Sequence, residues 1–371
     1  MKKVILLICM LTFLMAIPLA SFADGMNSYT ETAVVIGVED MENSSDALSG
    51  FEHIQIVQVK ITSGKYKGEV FEIYNNLSGS FVYDIPVKTG DKIVVMVEEL
   101  ENGEIDVFIA DYMRQDYILY LYLIFVILLL LIGRMKGLKS VISLTITILA
   151  VLKILLPLIL SGKNPVPVTV FVSIAITIVT IFIVAGINSK SIAAIIGTTT
   201  GVIVAGLLAY FIGSKIRLTG LSSEEATMLM YIPQGVTFDF RGLLFSGIIM
   251  GALGAVMDIG MSIASAMDEI YRANPMLRRK ELFMAGMNVG RDVMGTMTNT
   301  LILAYTGSSI PLLLLFMAYE TSLVKILNLD IIATEVVRAL SGSTGLILTI
   351  PITAAVSSML LKREALKKEK A

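Results

Sequence analysis

Residues 290–311 read GRDVMGTMTNTLILAYTGSSIP, a run too polar for a lipid-facing helix and yet set between strongly apolar stretches. Asp292, Thr296, Asn299 and Thr306 follow one another at spacings of four, three and seven. On a continuous helix they form one stripe, with Leu303 as the apolar interruption. Polar atoms in hydrocarbon need partners, so the stripe must face protein or water. Gly307, Ser308, Ser309 and Pro311 then weaken the helix, because Gly adds backbone freedom and Pro removes a donor. A kinked or broken span is predicted there.

The sequence around this stretch has the same character. Of 371 residues 55% are hydrophobic and 16% charged, and the mean hydropathy is +0.80, which no soluble domain of this size matches. The net charge of −2 hides a segregation of acids and bases along the chain, and no basic patch supports nucleic-acid binding. Cys9 and His53 are the sole cysteine and histidine. They exclude a disulfide framework and a thiolate or histidine metal site, and no cofactor motif is present.

Lys2 and Lys3 precede an apolar run, Val4 to Ala20, and Ser21-Phe22-Ala23 offers small residues before a cut. Residues 1–23 therefore read as a signal peptide, with an uncleaved anchor as the alternative. From 24 to 115 the composition becomes that of a soluble β domain, with strand-like runs at 32–38, 54–61, 69–74, 92–98 and 105–110. Glycine-containing turns separate them, and five short strands in this length predict a small all-β, OB-like barrel outside the cytoplasm. Lys65, Tyr66, Lys67, Tyr74 and Tyr83 could bind a ligand there, or be ordinary turn and strand residues; His53 reads as a strand-end residue.

Residues 116–361 hold about seven expected transmembrane helices: 117–132, 141–160, 167–187, 191–212, 242–267, 294–319 and 340–361. A basic tail, 362–371, follows. If the β domain is exported, the inner segments carry fourteen Lys and Arg, among them Arg134, Lys190, Arg279 and Lys368. The outer loops carry five: Lys163, Lys215, Arg217, Arg241 and Lys325. Basic residues near span ends are retained inside, so the N-terminal domain is expected outside the cell membrane and the C-terminus in the cytoplasm. Ser222-Ser223-Glu224-Glu225 reads as the capped start of a short surface helix ending at Pro233. Glu335 and Arg338, three apart, could pair on a helix.

In the fifth span Gly247, Gly251, Gly254, Asp258, Ser262, Ser265 and Glu269 make one face small or polar. The fourth span repeats the theme with Ala194, Gly197, Gly201 and Ala205, and the seventh with Gly342, Gly345, Thr349, Thr353 and Ser357. Such faces permit close helix contact. In the span cores the only Asp, Glu, Lys or Arg residues are Lys153 and Asp258. Each costs at least about 2.5 kcal/mol near mid-bilayer without compensation. Counting about 1.5 Å per residue puts Asp258 at a depth of about 14 Å and Lys153 at about 19 Å, so the two could meet. Alternatively Lys153 snorkels and Asp258 faces a cavity with Asn299.

The longer segment GRDVMGTMTNTLILAYTGSSIPLLLLF, 290–316, resembles the signature region of the YibE/F family of bacterial multi-span membrane proteins. The resemblance runs from the exported domain through the last span. It implies a polytopic membrane protein and supplies no catalytic residues. From the residues themselves, a permease or channel for an ion or small solute is expected, using Asp258, Asn299, Thr296, Thr306 and Lys153, with a helix break at Gly307 and Pro311. The bilayer and that solute are the expected partners. A receptor or scaffold reporting from the β domain is the alternative. An enzyme is not expected: Asp258 and Asp292 lack an aspartyl-protease context, and no His-Glu-x-x-His, phosphate loop or nucleophile elbow occurs.

Overall fold

The computed structural model describes residues 28–42, 53–80, 82–100, 103–232, 237–320 and 322–368. Residues 1–23, expected as a signal peptide or anchor, and Pro233 lie outside them. The chain divides into two compact units, 1–128 and 129–371.

The first unit carries β1 (Ser28–Glu42), β2 (His53–Ile61), β3 (Val70–Leu77), β4 (Lys92–Glu99) and β5 (Ile105–Tyr112). All neighbours are antiparallel in the order β3-β2-β1-β4-β5. β1 is longer than the run expected at 32–38 because its two halves have different partners. Residues 28–34 pair with β4 and 33–42 with β2, across a register shift between Val35 and Gly37. Such a bulge bends a strand, and the sheet curls until β3 and β5, at its two edges, approach one another. This is a small OB-like half-barrel. Alternation puts Val35, Val57, Val59, Ile93, Val95 and Val97 inside. The turn after β2 needs glycine: Gly64 has φ +66°, and a Cβ there would lie 1.5 Å from the Glu31 carboxylate.

The second unit is helical, and its first helix begins within the first unit. α1 (Gln115–Ala150) runs through a π-helical turn, Val151–Leu155, into α2 (Leu156–Leu160). Then come α3 (Pro165–Ala185), α4 (Ser189–Lys215), the short α5 (Glu224–Met228), α6 (Phe240–Ala273), α7 (Arg279–Ser308), α8 (Ile310–Ala318), α9 (Leu323–Leu327) and α10 (Asp330–Lys368). Local chemistry sets the starts. Asn188, Ser223 and Asp239 each cap a helix by accepting a backbone N–H, and Pro165 occupies the first turn of α3 behind Asn164.

Among the described residues five helical stretches are long and apolar enough to cross a membrane: 115–160, 165–185, 189–215, 240–273 and 330–362. The bent pair α7–α8 makes a sixth. The stretch 115–160 covers both of the first two expected spans, 117–132 and 141–160, as two arms of one helical stretch broken at Arg134 (φ 47°, ψ −123°). A Cβ on Gly137 would lie 2.0 Å from the Leu129 carbonyl oxygen. In an unbroken helix residues eight apart are about 12 Å apart along the axis, so the chain folds sharply at Arg134. Helical bonding resumes at once because 135–140 contains no proline and no capping acid.

The bundle core is built on α4, α6 and α10. The small faces of α4 and α10 meet: a Cβ on Gly345 would lie 2.5 Å from the Gly201 carbonyl, and one on Gly197 1.8 Å from Thr353 Oγ1. α6 buries its apolar side, Ile249, Ala252, Val256, Ile259 and Ile263, against them. The structure is that of a polytopic helical membrane protein with an N-terminal β domain.

Candidate functional site

The 290–311 stretch forms most of α7, and its own residues end that helix. The hydroxyls of Ser308 and Ser309 both donate to the Tyr305 carbonyl, at 2.7 and 3.2 Å. Pro311 has no N–H to give to Gly307, so the α-helical ladder cannot pass this point. Ser309 takes a bridging conformation (φ −96°, ψ 1°), α8 restarts at Ile310 and the two helices meet at 61°.

Beside the bend lies a cavity of about 270 Å³, lined by Tyr305 and Thr306 of α7, Ser309 at the bend, Leu313 of α8 and Glu335, Val336 and Ala339 of α10. The walls are chiefly apolar, and Glu335 is the acidic side chain among them. Its Oε1 accepts an ion-pair contact from Arg338 at 3.2 Å, one helical turn on. The Arg338 guanidinium also lies 5.9 Å from the centre of the Tyr305 ring. Neither charge is fully met: Glu335 Oε2 and Arg338 Nε are buried and find no hydrogen-bond partner among the described residues. A buried polar atom left unpaired costs about 1–3 kcal/mol, more when charged, which makes this pair receptive to a polar group arriving from elsewhere. Gly251 of α6 makes room for the tyrosine, since a Cβ there would lie 2.7 Å from the Tyr305 hydroxyl.

The residues singled out in the sequence are distributed as follows. Thr306 lines the cavity, and Gly307 and Pro311 flank the bend. Thr296 turns its hydroxyl back to the Val293 carbonyl at 2.9 Å, which satisfies it within its own helix. Asn299 is exposed on α7 and Asp258 on α6. Lys153 is exposed on the π-helical turn. Lys153 and Asp258 form no ion pair with each other, and Asp258 and Asn299 no hydrogen bond, among the described residues. The structure thus gathers Thr306 with Tyr305, Ser309, Glu335 and Arg338 between α7 and α10, while Asp258, Asn299 and Lys153 stay on open faces. Tyr305 and Ser309 were not part of the expected stripe. The signal for them was the pair Glu335–Arg338 inside an otherwise apolar approach to the last span, which needs neighbours of this kind.

The π-helical turn has a local cause. Pro157 cannot donate to the Lys153 carbonyl and its ring would clash with it, so the turn widens there.

In the β domain, Lys65 and Tyr66 are already engaged: both donate to Glu99, and the buried Tyr66 ring stands edge-on to Phe71 at 6.2 Å. Lys67, Tyr74 and Tyr83 are exposed, and His53 is the exposed first residue of β2. Among the described residues no group of His, Cys, Asp and Glu could hold a metal ion.

Residues 121–363 match the family model described as YibE/F-like protein, and residues 27–112 match that of the YibE/F family N-terminal domain. No curated protein and no solved structure matches the chain.

Proposed function

The chain belongs to the YibE/F family, and from that premise we propose that it is a permease for an ion or small solute, with the bend between α7 and α8 as its gate and the adjoining cavity as a binding point on the path. The observation that carries this reading is the broken span itself: a 61° interruption beside a cavity lined by Glu335, whose ion pair with Arg338 is incompletely satisfied. Irregular backbone at membrane depth is tolerated where it lines a cavity, and interrupted helices beside intramembrane charges are how solute paths are commonly built. Glu335 offers an acceptor and Arg338 a donor to a passing group, Tyr305 holds the guanidinium in place, and Thr306 and Ser309 offer hydroxyls at the bend. The reading includes insertion in the cell membrane after export of the β domain, with the C-terminal tail inside, supported by the excess of basic residues in the inner segments.

Uptake and efflux by the purified protein in lipid vesicles, against a panel of ions and small solutes, tests it. A hydrogen bond to a charged group is worth about 1.5–3 kcal/mol. Glu335→Gln is therefore expected to lower transport at least about tenfold with little loss of folded protein, and Gly307→Leu to slow it by stiffening the bend. If no member of the panel moves, the protein acts instead as a receptor whose outer domain reports through the bundle.

A further inference from the structure

Among the described residues of the second unit, α6 has one side that is left open except at Gly251, where the Tyr305 hydroxyl packs. Gly247, Gly251, Gly254, Asp258 and Ser262 are all exposed, and their spacings of four, three, four and four align them at 100° per residue along the helix. The side opposite is buried against α4 and α10. A Cβ on Gly247 or on Gly254 would meet nothing within 4 Å. This is the same small-residue pattern that brings α4 and α10 into backbone contact, here with only the Tyr305 hydroxyl against Gly251.

Asp258 gives the open side its requirement. It lies about 25 Å along α6 from Arg241 and about 15 Å from Asp268, the charged residues nearest to it on either side, too deep for a side chain of its length to reach either interface. Among the described residues it has no ion-pair or hydrogen-bond partner. Lys153, the other charge in the span cores, is exposed on the π-helical turn and equally unpaired. The first arm of α1, 115–133, carries no basic residue that could serve Asp258. Lipid tails offer neither charge nor hydrogen bond. Each of the two residues presents, on an open surface and at comparable depth, the charge that the other lacks.

We propose that this face of α6 binds a second copy of the chain, with Lys153 of each copy paired to Asp258 of the other. A twofold arrangement makes both pairs at once, and the glycines allow the approach such a contact needs. The pairing is independent of whether the protein transports anything.

Counting bleaching steps of fluorescently labelled protein diluted in lipid vesicles tests the proposal. The wild type is expected to show two steps. Asp258→Lys alone sets Lys against Lys, and Lys153→Asp alone sets Asp against Asp, so each is expected to shift to single steps. Reconstituted together, the two variants restore both opposite-charge contacts across the interface, and mixed two-step particles are expected to return. A pair formed within one chain would not be restored by mixing. Gly254→Leu places its side chain in open space on the single chain, and is expected to leave it folded while weakening association at least tenfold. A wild type that bleaches in one step overturns the proposal. So does a mixture no better associated than either variant alone, or a Gly254→Leu protein that dimerises like the wild type.

Discussion

Gly345 and Gly295 show how differently the same residue type is used in this bundle. A Cβ on Gly345 would press on the Gly201 carbonyl at 2.5 Å and on Ala205 at 2.8 Å, whereas one on Gly295 would meet nothing within 4 Å. Backbone cannot retreat as a flexible side chain can, so Gly345→Val is expected to cost at least the 1–3 kcal/mol typical of an overpacked core. Gly295→Ala should be neutral or stabilising by up to about 1 kcal/mol, through helix propensity. Thermal unfolding in detergent compares the two. In the β domain the pair to test is Glu99 and Lys65. Hydrogen bonds from Lys65 and then Tyr66 hold the Glu99 carboxyl below its usual 4.5. The bond to Glu99 in turn holds the Lys65 ammonium above its usual 10.5. The carboxylate therefore contributes stability above pH 4.5, which is lost as pH falls through its depressed value. The ammonium contributes below pH 10.5, and that part is lost as pH rises through its raised value. Both groups are solvent-screened, so the amplitude is modest. Glu99→Gln should lower the melting temperature of the fragment 28–112 near pH 7 and flatten its decline below pH 4.5; a parallel decline in both proteins would show that the bond contributes nothing.

Among the helices, three interruptions can be traced to a few local residues each. At Arg134 the chain folds, and Gly137 permits the fold by leaving room for the Leu129 carbonyl. Gly137→Leu is expected to open that turn and reduce the yield of folded protein sharply, measured by gel filtration after extraction. At Pro157 the missing donor widens the helix into the π-helical turn that carries Lys153. Pro157→Ala returns an N–H to the Lys153 carbonyl and removes a proline, which is worth up to about 3 kcal/mol in a helix interior. The expected result is a more stable protein in which residue 153 turns toward a different direction, read as a changed rate of water-soluble thiol labelling at Lys153→Cys. At Ser309 the two hydroxyl bonds to Tyr305 and the missing Pro311 donor end α7. Pro311→Ala removes one cause and leaves the other, so the 61° bend should be reduced and transport slowed.

For the molecule as a whole, sidedness is the first quantity to measure. With Cys9 as the chain's one thiol, Lys67→Cys and Arg279→Cys should react with an impermeant reagent from opposite faces of the membrane; reaction from the same face would overturn the orientation. Much of the architecture was legible along the chain because it depends on neighbours in sequence. Alternating valines mark the strands, the side-chain oxygen of Ser223 marks a helix start, and Glu335–Arg338 sit three apart where a helix lets them pair. The length of β1 was not legible, since its polar ends join the sheet only through two different partners. Nor was the fold at Arg134, where one residue interrupts a helix that resumes at once. The small-residue faces of α4, α6 and α10 mark the limit most clearly. Periodicity states that Gly247, Gly251, Gly254 and Asp258 share a side of a helix, and that Gly197 and Gly201 do as well; both statements hold. It carries no information about what stands opposite, because that depends on helices far away in sequence. Only the tertiary structure set α4 against α10, left the α6 face open at Gly247 and Gly254 and brought Tyr305 to the Glu335–Arg338 pair.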